Sequence, residues 1–197
     1  MSDPAASLRA RQAPIKESYK SDPSSAIVTL KSTGHLDSSS SITCSLSSGP
    51  AIRDARAKVA GLHPAAGGPD AAISGELCSG DMLLEALVAC AGVTLKAVAT
   101  ALGVPIKGGE VRAEGDLDFR GTLGVDREAP VGFKEIRLGF EVEVDERDER
   151  SKEVDAAKLE KLGKLTERYC VVLQTIVKKP EVKVSLKGGE HEWSQSA

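Results

Sequence analysis

The chain has 197 residues, with 26 Lys or Arg against 29 Asp or Glu, a formal charge of −3. That length holds one domain or two small ones, and such a domain can bury roughly 70% of its unfolded surface without covalent staples. The slightly acidic balance removes the global basic footprint of a nucleic-acid binder, and an aromatic share of 3% leaves few rings for base stacking. No nucleic-acid partner is expected.

Residues 1–25 are rich in Ser, Ala, Lys and Pro, lack an apolar period, and contain no apolar stretch like that of a secretory signal. They are expected to be a loosely ordered tail ahead of a single domain over residues 26–187. Ala26–Leu30 reads as a short strand and Ile42–Leu46 as a second, joined by a serine-rich turn at Leu36–Ser41. Ala51–Ala60 fits a helical turn or an irregular strand equally. Gly61–Ser74, with Pro64, Gly67, Gly68 and Pro69, reads as a loop.

Ser79–Leu102 is the clearest element. Ser79 is placed to cap a helix, Asp81 lies in its first turn near the positive end of the dipole, and Gly103 and Pro105 end it. Apolar residues fall on every face, which predicts a helix in the middle of a core. Its longest uncharged run, Ala86–Leu95, is bounded by Glu85 and Lys96 and is too short to cross a bilayer. No membrane partner is expected, and the expected compartment is the reducing cytoplasm. There Cys44, Cys78, Cys90 and Cys170 are free, catalytic or metal-bound rather than structurally paired.

Residues 111–120 and 135–145 alternate apolar and charged side chains, which marks antiparallel strands with one wet face. Gly121–Gly132 joins them as a loop, and the charged run 145–153 reads as a solvated turn. Asp155–Val177 is a second helix, its stripe set by Leu159, Leu162, Leu165, Tyr169, Leu173 and Ile176, with Cys170 beside it. Val182, Val184 and Leu186 form a last strand, and residues 188–197 a polar C-terminal tail. Strands, buried helix, two strands, helix and strand together predict an α+β fold built on antiparallel sheet.

The two helical cysteines carry the chemistry. Each is consistent with a small buried hydrophobe or with a redox thiol. Cys78 and Cys90 lie about 18 Å apart along one helix, while a disulfide needs Cα atoms within about 7 Å, so that pair is excluded. Cys90 and Cys170 can meet if their helices pack side by side. No Cys-x-x-Cys and no pair of His at helical spacing is present, so neither a metal nor another cofactor is expected.

The run Ser79-Gly-Asp-Met-Leu-Leu-Glu-Ala-Leu-Val-Ala-Cys90-Ala-Gly-Val-Thr-Leu resembles the peroxidatic-cysteine helix of the OsmC/Ohr family of thiol-dependent peroxide reductases. Leu165-Thr-Glu-Arg-Tyr-Cys170-Val-Val resembles its second-cysteine helix, and the likeness covers residues 26–187. The resemblance implies antiparallel sheets wrapped around two central helices in an intertwined homodimer. It further implies sites at the subunit interface, each joining two cysteines to an Arg and a Glu. By that likeness Cys90 attacks a small hydroperoxide, Cys170 resolves the sulfenic acid as a disulfide, and an external dithiol restores both thiols.

The family Glu lies ten residues before the peroxidatic Cys, where this chain has Gly80. Asp81 is the adjacent candidate, or simply a complement to the helix dipole. Glu85 is well off the Cys90 face. Arg53, Arg56 and Arg168 are candidate activating cations. His63, in the loop just upstream, is either a polar or cationic site group or a histidine bonded to backbone. The alternative to an enzyme is a non-catalytic protein whose cavity holds a small apolar ligand, with the cysteines only lining it.

Overall fold

The computed structural model describes residues 4–36, 44–47, 59–68 and 76–196. Most of the serine-rich turn, most of the segment 51–60, and Arg53 and Arg56 lie outside the described residues. The expected tail is instead largely helical: α1 runs Pro4–Ser21. Its order comes from contacts distant in sequence. Tyr19 is buried and its hydroxyl donates to the Ala65 carbonyl at 2.7 Å, and Gln12 Nε2 donates to the Ala66 carbonyl at 3.1 Å.

Strands β1 (Ile27–Leu36), β2 (Cys44–Ser47), β5 (Ile106–Asp118) and β6 (Phe133–Val144) make one antiparallel sheet in the order β2-β1-β5-β6. The period of two in the sequence sets its faces. Val111, Ala113 and Leu117 of β5 are buried, and opposite Val111 and Ala113 stand Phe140 and Leu138 of β6. The other face carries ion pairs, among them Arg137 with Asp116 at 2.6 Å and Arg112 with Glu141. Gly115 is required by packing, because a Cβ there would strike the Phe133 ring laid across the strand.

Short strands β3 (Val59–Gly61) and β4 (Glu76–Cys78) pair in parallel and lead into α2 (Ser79–Leu102). The helix has the bounds expected from the sequence, but Cys78, not Ser79, is its N-cap, and it supplies no side-chain cap. At its end Gly103 adopts φ +66, a left-handed conformation suited to glycine. Leu84, Leu87, Val88, Ala91 and Leu95 are buried against the sheet and later helices, whereas Leu83, Ala86, Val93 and Ala97 are exposed. The helix is therefore not enclosed on every side within one chain. By length and composition alone it is apolar enough to cross a membrane, yet half of that stretch is buried in the protein.

Phe119 and Arg120, expected to finish a strand, begin the short helix α3 (Phe119–Thr122). The cause is Asp118, whose carboxylate accepts the Arg120 amide at 3.1 Å and so turns the chain. The expected second helix is two helices, α4 (Ala156–Tyr169) and α5 (Val171–Lys178), meeting at Cys170. The last strand and much of the expected tail form a hairpin, β7 (Lys183–Gly188) and β8 (His191–Ser196), pairing with each other and exposed throughout. The architecture is α+β with antiparallel sheets and helices.

Candidate functional site

The site starts from the joint at Cys170. Its φ of −70 and ψ of 106 are extended, so it ends α4 and acts as N-cap of α5. The amides of Val171, Val172 and Leu173 thereby lose their helical acceptors in the preceding turn, as the first amides of every helix do. One of the carbonyls left over, that of Glu167, is taken by Gln174 Nε2 at 2.9 Å. The periodic stripe gives no sign of this break, although the β-branched pair Val171-Val172 just after the cysteine is a local departure from good helix formers.

Two of the freed amides, those of Val171 and Val172, face Cys90, while that of Leu173 turns to Cys170. Burial pushes the Cys90 thiol up, but the amides of Val172 and Val171, the Cys170 thiol and the Thr94 hydroxyl all favour its thiolate. The net result lies below the ordinary thiol value. Cys170, completely buried, is pushed up to about 11, first by desolvation and then by the neighbouring Cys90 sulfur. The pair is thus asymmetric: one sulfur is disposed to ionise and the other to stay protonated. Main-chain amides supply part of what a cation would otherwise provide. Thr94 and these amides were not among the residues singled out from the sequence, and no side-chain motif could have revealed the amides.

A cavity of about 340 Å³ opens beside Cys170, lined by Leu138, Phe140, Leu173 and Val177, with Glu167 and Thr166 as its polar members. It offers an apolar body close to the sulfur pair.

The remaining expected site residues gather elsewhere. Asp81 precedes Cys90 by nine helical residues, about 14 Å along the axis. Asp81 and His63 interact with each other at the start of α2. His63 caps a short 3-10 turn at Pro64–Ala66, its Nδ1 accepting the Ala65 amide at 3.0 Å. Its ring stacks on Phe119 with centroids 5.0 Å apart. Burial pulls its pKa down, opposed by Asp81, so the neutral imidazole is favoured and His63 is the backbone-bonded histidine of the two readings. Burial raises the Asp81 pKa, opposed by His63. Arg168 lies over the Tyr169 ring at 5.6 Å. The structure therefore brings together Cys90 and Cys170 and separates Asp81 and His63 from them.

The amide arrangement has a direct consequence in solution. Iodoacetamide should modify Cys90 at lower pH than an ordinary thiol, and Cys170 only toward pH 11, as read by peptide mass spectrometry across a pH series. Val171→Pro removes one facing amide at the first helical position, where proline is tolerated and the preceding extended residue suits it. It should move the Cys90 profile upward; an unchanged profile would show that the amide does not act on the sulfur.

The described residues thus form an α+β fold on an antiparallel sheet, in which one long apolar helix bears a thiol met by a second thiol at a helix joint. Within it, residues 73–187 match the model of the OsmC-like protein family, and the chain belongs to that family. The fold is similar to the crystal structure of an OsmC-like hydroperoxide resistance protein from Jannaschia sp. CCS1, with a TM-score of 0.53 at 13% identity. That similarity covers 86% of this chain and 99% of the other. No curated protein matches the sequence.

Proposed function

We propose that this protein reduces hydroperoxides, organic ones in particular, using Cys90 as nucleophile and Cys170 as resolving thiol. The observation that carries the proposal is the asymmetry of the pair, a thiolate-favouring Cys90 against a protonated Cys170. Family membership supports it, as does the name of the structurally similar hydroperoxide resistance protein. The Cys90 thiolate attacks the terminal peroxide oxygen, the O–O bond breaks, and the alkoxide leaves and takes a proton. Cys90 is then a sulfenic acid. The Cys170 sulfur attacks it, the S–O bond breaks, and water departs with the Cys170 proton, leaving a disulfide. An external dithiol reduces that bridge and is itself oxidised. The apolar cavity beside Cys170 suits a substrate with a hydrocarbon body. Asp81 and His63 have no part in these steps at the Cys90 of their own chain. A disulfide that must be reduced every cycle fits the reducing cytoplasm.

The test is thiol counting. Treatment with cumene hydroperoxide should remove two thiols per chain rapidly, and dithiothreitol should restore both. Intact thiols would instead support the second reading, a non-catalytic protein that binds an apolar molecule in the cavity lined by Leu138, Phe140 and Leu173.

We further propose a homodimer. Ala86, Cys90, Val93 and Ala97 recur at spacings of four, three and four along α2, and Ala86, Val93 and Ala97 are exposed in the single chain. A second copy laid on this stripe would bring the Cys90 sulfur to the seam. Val93→Glu places a charge there and should shift micromolar protein from dimer to monomer in sedimentation. A wild-type monomer at that concentration would sink the idea.

A further inference from the structure

The threonines of α2, α4 and α5 do not all use their hydroxyls alike. Thr100, Thr166 and Thr175 donate to the carbonyl four residues back, at 2.9, 2.8 and 2.8 Å. That is the usual acceptor for a hydroxyl inside a helix. Thr94 is the exception. The bond its hydroxyl makes is to the Cys90 sulfur, one turn back on the same face of α2.

We propose that the Thr94 hydroxyl is a further catalytic group of this site, donating to the Cys90 sulfur so as to favour its attack on the peroxide and, later, the reduction of the disulfide. This role rests on the redox reading of Cys90 and Cys170.

The placement suits a fixed donor. Thr94 and Cys90 are both half-buried, so their contact is partly shielded from water while the sulfur stays open to a small substrate. A β-branched side chain on a helix has few χ1 positions, so the hydroxyl is set before the sulfur ionises. The donors to Cys90 also come from separate elements, the hydroxyl from α2 and the amides of Val171 and Val172 from α5. Among the described residues, Cys170 is the titratable group that acts on this sulfur, and every group that favours the thiolate is a neutral donor. With no ion pair among them, each donor matters more.

Both halves of the cycle follow from one contact. A hydrogen bond to a charged acceptor is stronger than one to a neutral sulfur. The hydroxyl therefore favours thiolate over thiol. For the same reason it favours the reduced pair over the disulfide, whose sulfurs carry no charge.

Thr94→Val, which removes the hydroxyl and keeps the branched shape, tests this on the full chain. The pH midpoint for iodoacetamide modification of Cys90 should rise by about one unit. The plateau at high pH should rise about threefold, because a thiolate held less firmly is the better nucleophile. Well below both midpoints the two effects combine to a rate about threefold lower, for iodoacetamide and for cumene hydroperoxide alike. Above both midpoints, equilibration with dithiothreitol should leave about tenfold more disulfide, relative to the reduced pair, than in the wild type. Thr94→Ser keeps the donor and should recover most of the midpoint shift. Thr100→Val, on the same helix, should move neither quantity. A fixed midpoint in Thr94→Val, or a lower plateau at an unchanged midpoint, would overturn the proposal and leave wild-type thiol loss in cumene hydroperoxide untouched. Wild-type thiols that survive cumene hydroperoxide would instead remove the redox reading, and the catalytic role with it.

Discussion

Cys90→Ser should abolish thiol loss on treatment with cumene hydroperoxide, while Cys170→Ser should not. The two variants separate the roles because the sulfurs are unequal. Without Cys90 the remaining partner is a fully buried thiol whose desolvation still disfavours the thiolate, so little of it is ionised at pH 7 and attack on the peroxide should slow markedly. Without Cys170 the first step proceeds, and one thiol per chain is lost. Cys90 then accumulates as sulfenic acid, trappable with dimedone, and proceeds to sulfinic acid under excess peroxide. Mass spectrometry of the peptide bearing residue 90 reads both outcomes. Equal loss of activity with no trappable sulfenic acid in Cys170→Ser would overturn the assignment of roles.

Asp118→Ala should destabilise the fold by about 3 kcal/mol, lowering the thermal midpoint by about 10 °C. Asp118 is 1% exposed and holds Arg120 through both carboxylate oxygens, with Nη2 at 2.6 Å and Nε at 3.0 Å. It also receives the Arg120 amide that starts α3. Removing it leaves a partly buried guanidinium short of its main counter-charge. Hydrogen bonding to Arg120 holds the Asp118 pKa below the usual carboxylate value, against an opposing push from burial. The depressed folded-state pKa means this contribution is complete above the ordinary Asp value and disappears as pH falls through the depressed one. Urea unfolding from pH 7 down to pH 2 should therefore show an acid-sensitive component in the wild type. Asp118→Asn, which keeps an oxygen for the Arg120 amide but carries no charge, should lack it. If the two proteins lose stability in parallel, this ion pair is not its source.

What the sequence disclosed and what it concealed divide along physical lines. The bounds of α2 were readable because its apolar run is long and Gly103 punctuates its end. The main strands were readable because their two faces meet different media. The meeting of Cys90 and Cys170 was visible as a possibility of packing, sharpened by resemblance. The joint at Cys170 was concealed because a break of one residue hardly disturbs the stripe carried on by Leu173 and Ile176. Helix α1 was concealed because its order depends on Ala65 and Ala66, more than forty residues away in sequence. Strand β8 was hidden for another reason: its residues are polar apart from Trp193, which stands opposite Leu186, so it shows no apolar alternation. Residues 118–122 were misread because alternation continues to Phe119 and Arg120, while one carboxylate decides where the strand stops.

A continuous helix through residues 156–178 would be the sturdier construction. It would return Val171, Val172 and Leu173 to ordinary helical bonding, and a stability screen of this region should favour substitutions that heal the gap. Such a protein would melt later and react more slowly, since the sulfur at residue 90 would have lost the main-chain dipoles turned toward it. Engineering this chain for heat resistance should accordingly leave that imperfection alone and look for gains elsewhere.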